Sequence, residues 1–129
     1  MSYFYIASPY SHIDTSVMAD RYWKAVDFTS WVIEKYRMHV FSPIVHSHPL
    51  CVKRNLRPEA EYWMALDYAM LEPARGLIVF QIEGWDLSKG VKLEMEYQEA
   101  RKRPVLFSKE MWPNYNHSME VDDYVLYSR

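Results

Sequence analysis

The sequence has little cysteine, little glycine and almost no net charge. Cys51 is its one cysteine, so no disulfide forms within the chain, and a reducing, cytoplasmic setting is expected. The net charge is −2 with acids and bases interspersed, which argues against a nucleic-acid polymer as the partner. No apolar run approaches the roughly 20 residues of a membrane span, and no signal-peptide pattern is present. We therefore expect a protein that acts on a small molecule.

Aromatic side chains are abundant instead. The chain has 11 Tyr, 5 Trp and 5 Phe in 129 residues, a length that suits one domain over residues 1–129. That number exceeds what a core of this size must hold. Some of these rings are therefore expected to line a pocket or a subunit interface.

Apolar runs alternate with helical patterns along the chain. Strands are predicted at residues 3–7, 39–42, 76–82 and 104–107. A long helix is predicted after a cap at Asp14 or Thr15, and further helices from Pro58 to Glu72 and at 90–103. Residues 44–57 are predicted to form a long loop. This order predicts an α/β fold, a single-domain, three-layer, doubly wound parallel sheet of four or five strands, Rossmann- or flavodoxin-like.

Helix faces follow from the spacing of apolar residues. The first helix, capped by Asp14 or Thr15, is predicted to bury a face that includes Ala25, Val32, Ile33 and Tyr36. The second is predicted to bury Tyr62, Leu66, Ala69 and Met70. The segment from Met111 onward is predicted to hold one short helix and an aromatic end that docks elsewhere.

Three polar segments follow the predicted strands. Ligands of open parallel sheets bind beyond the carboxyl ends of the strands, so residues 7–11, 42–48 and 82–90 are expected to meet there. Two of the three glycines, Gly84 and Gly90, lie in the last segment. His46 and His48 are expected on one side of an extended loop, in a structural or substrate-binding role. Two histidines without a third ligand make a poor zinc site, so neither metal nor cofactor is predicted.

Glu94 is the candidate nucleophile. Ser88 and Gly90 open a helix directly after a strand and loop, which predicts an anion site at the helix N-terminus. Glu94 lies about one turn inside, where the helix field is expected to favour its ionised form. An ionised carboxylate in a partly apolar cleft is suited to attack an anomeric carbon. The alternative is that Glu94 is a solvated helix residue and Ser88 an ordinary cap.

Tyr5 and Asp67 are the candidate companions of Glu94. Tyr5 lies near the carboxyl end of the first strand, and its phenol is placed to hydrogen-bond a neighbouring carboxylate. Asp67 lies within a helix next to its apolar face, where a partly buried carboxylate is costly without a partner or a role. Two carboxylates and a phenol in one cleft would supply a nucleophile, an acid and an orienting group.

These motifs together resemble the nucleoside 2-deoxyribosyltransferase superfamily, in particular its small bacterial and phage members. Residues 5–10 resemble its first strand and loop, residues 88–94 resemble its signature loop, and Asp67 matches its helix aspartate. Residues 42–44 and 48–49 match its second loop. The resemblance covers about residues 3–107.

The resemblance implies a two-step, retaining displacement at C1′ of a nucleoside or nucleotide. Glu94 would form the glycosyl-enzyme, Asp67 would assist departure of the base, and Tyr5 would hold Glu94. Water or a second base would complete the reaction. Transferases of this superfamily tend to have Asp where this chain has Ser88, and the related 2′-deoxynucleoside 5′-monophosphate N-hydrolases have Ser, which favours a phosphorylated substrate. Those hydrolases have a glycine-rich first loop with an Arg, which this chain lacks.

The substrate contacts expected from the resemblance and the loops are Ser8, Pro9, His48, Trp85, Ser88 and Gly90. Trp85 is a candidate for stacking on the base, with a core or lid position as the alternative. Arg21 is a candidate for a phosphate contact or for a surface salt bridge. The resemblance also implies a homodimer or larger homo-oligomer. Two further hypotheses stay open: a non-catalytic nucleotide-binding or sensory module on the same fold, and a flavodoxin-like response or interaction domain.

Overall fold

The computed structural model describes residues 2–56 and 61–118, except for the side chain of Glu61. Strands and helices alternate through these ranges. In chain order they are β1 (Phe4–Ala7), α1 (Thr15–Tyr36), β2 (Val40–Phe41), α2 (Pro43–Arg54), α3 (Glu61–Leu71), β3 (Gly76–Val79), α4 (Lys89–Ala100), β4 (Val105–Phe107) and α5 (Ser108–Met111). A short 3₁₀ turn, Trp85–Leu87, lies between β3 and α4.

The four strands of the described chain form one parallel sheet in the order β2-β1-β3-β4. Phe4 pairs with Val40 on one side and with Gly76 on the other, and Leu77 pairs with Val105. Strand β3 is fully buried, as its continuous apolar run predicts. The prediction of a single-domain, Rossmann-like α/β fold with a parallel sheet is confirmed.

Two hydrophobic cores cover the two faces of this sheet. Neighbouring residues of a strand point to opposite faces, so Ile6 and Ile78 join one core with α1, whereas Tyr5 and Leu77 join the other. Val91 of α4 packs in the second core. Among the described residues, no helix is both long enough and apolar enough to cross a bilayer.

Helix α1 begins at its predicted cap but buries a different stripe near its end. The Asp14 carboxylate accepts a hydrogen bond from the backbone N–H of Ser16 at 2.9 Å. The predicted burial of Ile33 and Tyr36 is wrong, since these side chains are 48% and 42% exposed. Phe28 is fully buried instead, and its ring stacks on Phe80 of the sheet face with 4.6 Å between centroids.

Residues 43–54 form helix α2, so the prediction of a long loop there is wrong. The Ser42 hydroxyl caps the helix by accepting from the backbone N–H of Val45, and Pro43 occupies the first turn. The buried face follows helical spacing through Ile44, His48 and Cys51. The polar residues between them and Pro49 inside the helix hide this pattern in the sequence.

The helix also corrects the expected placement of the two histidines. Two residues apart on a helix, side chains differ in direction by roughly 200°, so they do not share one side. His46 is exposed and bonds Ser47 at 3.1 Å, whereas His48 is partly buried.

Helix α3 differs from its prediction on the inner face. Leu66 and Met70 are partly buried as expected, but Tyr62 is 66% exposed and Ala69 is exposed as well. The predicted start at Pro58 lies outside the described residues.

The segment after β4 contains a short helix, α5, which ends at Met111, where the predicted short helix was expected to begin. The described residues that follow form no helix, and an aromatic stack against α1 occupies this place instead. The ring of Trp112 lies between Trp31 and Tyr115, with centroid distances of 4.3 and 4.2 Å. The backbone N–H of Glu83 then donates to the carbonyl of His117 at 2.9 Å. This segment therefore fastens α1 to the carboxyl end of β3. The aromatic end beyond residue 118 lies outside the described part of the chain.

Candidate active site

A cavity of about 660 Å³ lies beyond the carboxyl ends of the strands. Its wall includes residues from the loop after β1, the first half of α2, the inner side of α3, and the loop that leads into α4. The prediction that the segments 7–11, 42–48 and 82–90 meet at this edge is therefore confirmed. The volume lies in the range of pockets that hold drug-sized ligands or cofactors, about 300–1,000 Å³.

Glu94 and Tyr5 form a close hydrogen-bonded pair at the base of this cavity. Glu94 lines the cavity, and Tyr5 lies behind it with its side chain fully buried in β1. The Tyr5 hydroxyl donates to Oε2 of Glu94 at 2.5 Å. Burial and the neighbouring Glu94 carboxylate raise the pKa of Tyr5, so the phenol keeps its proton and acts as the donor. One carboxylate oxygen is thus fixed by the protein.

The electrostatics of Glu94 differ from the expectation. Burial raises the pKa of Glu94 to about 8, against the lowering effect of the Tyr5 hydrogen bond and with a further rise from the charge of Asp67. We expected the helix field to favour the ionised form. Glu94 is the sixth residue of α4, and the field weakens beyond the first turn, so desolvation outweighs it.

Asp67 lines the same cavity from the inner side of α3. Burial raises the pKa of Asp67 to about 6. A carboxyl group with this pKa exchanges its proton near neutral pH, which suits a general acid or base. The structure therefore brings together Glu94, Asp67 and Tyr5, the three candidate residues from the sequence.

The N-terminus of α4 forms a polar end of the cavity, lined by Ser88, Lys89 and Gly90. Ser88 caps the helix, its hydroxyl oxygen accepting from the backbone N–H of Val91 at 3.2 Å. The first turn of α4 contains no acidic residue. Unpaired N–H groups and the positive end of the helix dipole favour an anion at such a terminus.

Arg21 of α1 also lines the cavity, although its position in the sequence favoured a salt bridge on the helix surface. Its Nη1 donates to the carbonyl of Ser11 at 3.1 Å, and its buried Nε has no hydrogen-bond partner within the described residues. Gly84 accommodates the guanidinium, since an added Cβ would lie 2.5 Å from Nη2. Gly84 also has a φ of 94°, a backbone conformation that favours glycine, and a larger residue there would displace the guanidinium.

His48 lies in an aromatic group at the opposite wall. Its Nδ1 is 2.6 Å from the Tyr10 hydroxyl, and its ring stacks on Tyr22 with 4.4 Å between centroids. Burial lowers the pKa of His48 and raises that of Tyr10 to about 12, which favours the neutral forms of both. In the described residues, no group of three His, Cys, Asp or Glu side chains is arranged to hold a metal ion.

The remaining predicted contacts divide into two groups. Ser8 lines the cavity with a buried hydroxyl that has no partner among the described residues. Pro9 and Trp85 are not among the lining residues, and the Trp85 ring packs edge-on against Phe107 at 6.4 Å. Trp63 lines the cavity instead. Its spacing of four residues from Asp67 was the signal in the sequence that placed both on one side of α3.

The comparison with family models gives one match that covers most of the chain. Residues 2–110 match the family described as "Domain of unknown function (DUF1937)". No curated protein matches the chain. The matched range includes all of the cavity-lining residues named above. The chain therefore belongs to the DUF1937 family.

Proposed function

We propose that the protein cleaves the N-glycosidic bond of a nucleoside 5′-monophosphate or nucleoside, deoxy or ribo, through a glycosyl-enzyme intermediate on Glu94. The observation that carries the proposal is the hydrogen bond from buried Tyr5 to Oε2 of Glu94, in a cavity that Asp67 also lines. The sequence resemblance to nucleoside 2-deoxyribosyltransferases supports the same assignment.

The first step forms the bond between Glu94 and the sugar. Tyr5 holds Oε2, which leaves the other carboxylate oxygen to attack C1′. The C1′–N bond breaks, its electron pair moves to the base, and Asp67 supplies the proton that the base requires. In the second step water attacks C1′, the bond to Glu94 breaks, and Asp67 accepts the proton of the water. Two inversions give overall retention. A second base in place of water gives transfer.

The protonation states set the pH dependence of this mechanism. The reactive form has ionised Glu94 and protonated Asp67, the less populated arrangement for pKa values of about 8 and about 6. This form is a minor species and is most abundant between the two pKa values. The rate is therefore expected to be bell-shaped, with its maximum between the two pKa values.

The polar end of the cavity supports a phosphorylated substrate. Ser88 and Lys89 supply a hydroxyl and an ammonium group at the N-terminus of α4, and Arg21 adds a guanidinium to the wall of the same cavity. Charge-assisted hydrogen bonds of this kind suit a 5′-phosphate. The expected reducing, cytoplasmic setting and the expected homo-oligomer remain parts of the proposal.

The direct test is to incubate the protein with nucleoside 5′-monophosphates and free nucleosides, deoxy and ribo, and to measure released base. Mass spectrometry of the quenched protein tests for a sugar adduct on Glu94. Glu94→Ala is expected to abolish release, while Glu96→Gln, an exposed position on the same helix, retains it. Release that persists in Glu94→Ala, or no release from any of these substrates, would contradict the proposal.

The second candidate is a nucleotide-binding module without turnover. The raised pKa of Glu94 favours this alternative, because a neutral carboxyl donates a hydrogen bond but is a poor nucleophile. It predicts that nucleotides raise the melting temperature without any product. Detection of free base in the same samples rules it out.

A further inference from the structure

Helix α3 is apolar around its circumference. Between residues 62 and 71 its only charged residue is Asp67, which faces the cavity. On the side away from Asp67, Tyr62 is 66% exposed and Tyr68 40%, and Ala65 and Ala69 are exposed too. Met64 is 56% exposed and lies at the border of this side, where it also lines the cavity. At 100° per residue these five occupy one continuous arc of roughly 160°. A helix that is apolar all round is normally buried, so this arc requires a cover.

The apolar surface continues onto α4. Leu93 is 50% exposed, and the Tyr97 ring lies 6.0 Å from the Tyr68 ring. The Arg101 guanidinium covers Tyr97 at 3.4 Å and marks the polar border. We call the surface formed by Tyr62, Met64, Ala65, Tyr68, Ala69 and Leu93 the α3 face.

We propose that the α3 face is the interface between two copies of this chain. From its exposed fractions, and with about 150–250 Å² for a whole aromatic side chain, the face offers on the order of 500 Å² of apolar surface. A stable dimer of ordinary size buries about 800 Å² on each partner, of which about 65% is apolar in homodimers. The face therefore supplies the apolar area that one half of such an interface contains.

The pattern of large and small side chains makes the face complementary to itself. Tyr68 and Ala65 lie side by side at the middle of the arc, with Ala69 one turn beyond Ala65. In a two-fold dimer each surface meets its own copy, so Tyr68 of one protomer packs into the space over Ala65 and Ala69 of the other. The α3 face carries no charge. A charged partner surface would therefore lose its hydration on binding without gaining an opposite charge, whereas a second uncharged α3 face would not.

The position of the interface connects assembly with the cavity. The opposite side of α3 holds Asp67 and Trp63 in the cavity wall, and α3 packs only sparsely on the other elements of its own chain. A second copy on the outer side would fix the helix that positions both residues. This inference does not depend on which reaction the cavity carries out.

Sedimentation velocity of the full chain at micromolar concentration tests the interface. The wild type is expected to be a dimer. Ala65→Glu is expected to weaken dimerisation about a hundredfold or more and to be monomeric at this concentration, because an unpaired carboxylate is buried at the contact. Ile33→Glu, at a position 48% exposed on α1, is the matched control and is expected to remain dimeric.

A second variant and a fold control complete the test. Tyr68→Lys removes the large ring and adds a charge, and is likewise expected to be monomeric. Circular dichroism is expected to show wild-type helix content for both variants, since the positions are exposed within the chain. A monomeric wild type, as when residues 119–129 or a different protein cover the face, would overturn the proposal. So would a dimeric Ala65→Glu variant.

Discussion

Replacing Glu94 by Gln is expected to stabilise the protein at alkaline pH while it removes the proposed nucleophile. The pKa of Glu94 is about 8 in the folded protein, against an ordinary value of 4.5. The folded state therefore binds this proton more tightly than the unfolded chain does. As a result, wild-type stability falls as pH rises from about 4.5 to about 8 and is level above that.

The magnitude follows from the same two values. A tenfold difference in proton affinity is worth about 1.4 kcal/mol, which sets an upper limit of about 5 kcal/mol for the full difference. Glu94 is only partly buried and borders the cavity, so solvent screening reduces this to about 2–3 kcal/mol. Gln keeps the shape and the acceptor for Tyr5 but never ionises. For a domain of this size the gain corresponds to roughly 10 °C in melting temperature at pH 9.

Thermal melts followed by circular dichroism at pH 5 and pH 9 measure this effect. The melting temperatures of Glu94→Gln and wild type are expected to lie close together at pH 5 and to separate at pH 9, with the variant higher. Glu96→Gln, exposed on the same helix, serves as the control for loss of a carboxylate from α4. A Gln variant that is less stable at pH 9, or a difference that does not change with pH, would refute the argument that burial controls Glu94.

Three further predictions concern Tyr5, Arg21 and Trp112. Tyr5→Phe removes the hydrogen bond that lowers the pKa of Glu94, so the pH of maximum rate is expected to rise and kcat to fall about 10- to 100-fold. An unchanged pH–rate profile would contradict this role of Tyr5. Arg21→Gln is expected to reduce kcat/KM about 10- to 100-fold for a nucleoside monophosphate but not for the free nucleoside. The control Lys35→Gln, on the same helix, is expected to change neither value. Equal losses on both substrates would exclude a phosphate contact. Trp112→Ala is expected to lower the free energy of unfolding, measured in urea, by about 2 kcal/mol, because its stacks on Trp31 and Tyr115 are lost. Trp112→Phe is expected to have an intermediate effect. For Trp112→Ala, a loss below about 0.5 kcal/mol would show that the stack contributes little.

The sequence predicted the sheet and its ligand edge well because both depend on local pattern. The apolar run of β3 and the cap at Asp14 are written in neighbouring residues, and parallel connection then brings the strand ends together. Helix α2 was missed because His46, Ser47 and Pro49 interrupt the apolar periodicity. Its capping residue, Ser42, followed by Pro43, was a usable signal for a helix start.

The candidate site was likewise only partly predictable from the sequence. Glu94, Asp67 and Tyr5 were identified from residue type, placement and resemblance, and they do meet at one cavity. Trp85, the candidate for base stacking, takes its alternative position against the core, whereas Trp63 lines the cavity. Whether a tryptophan faces a cavity or a core depends on how its element is rotated on the sheet, and residue type does not specify that rotation.

The sequence by itself determined the parallel α/β architecture, the edge where polar loops gather, and the identity of the three chemical groups. Only the tertiary structure decided their electrostatics and the surface that α3 exposes. The pKa of Glu94 depends on how much water the packed chain removes and on where Tyr5 and Asp67 stand. Both depend on contacts between residues that are distant in sequence, such as Tyr5 and Glu94. Local sequence patterns do not specify such contacts.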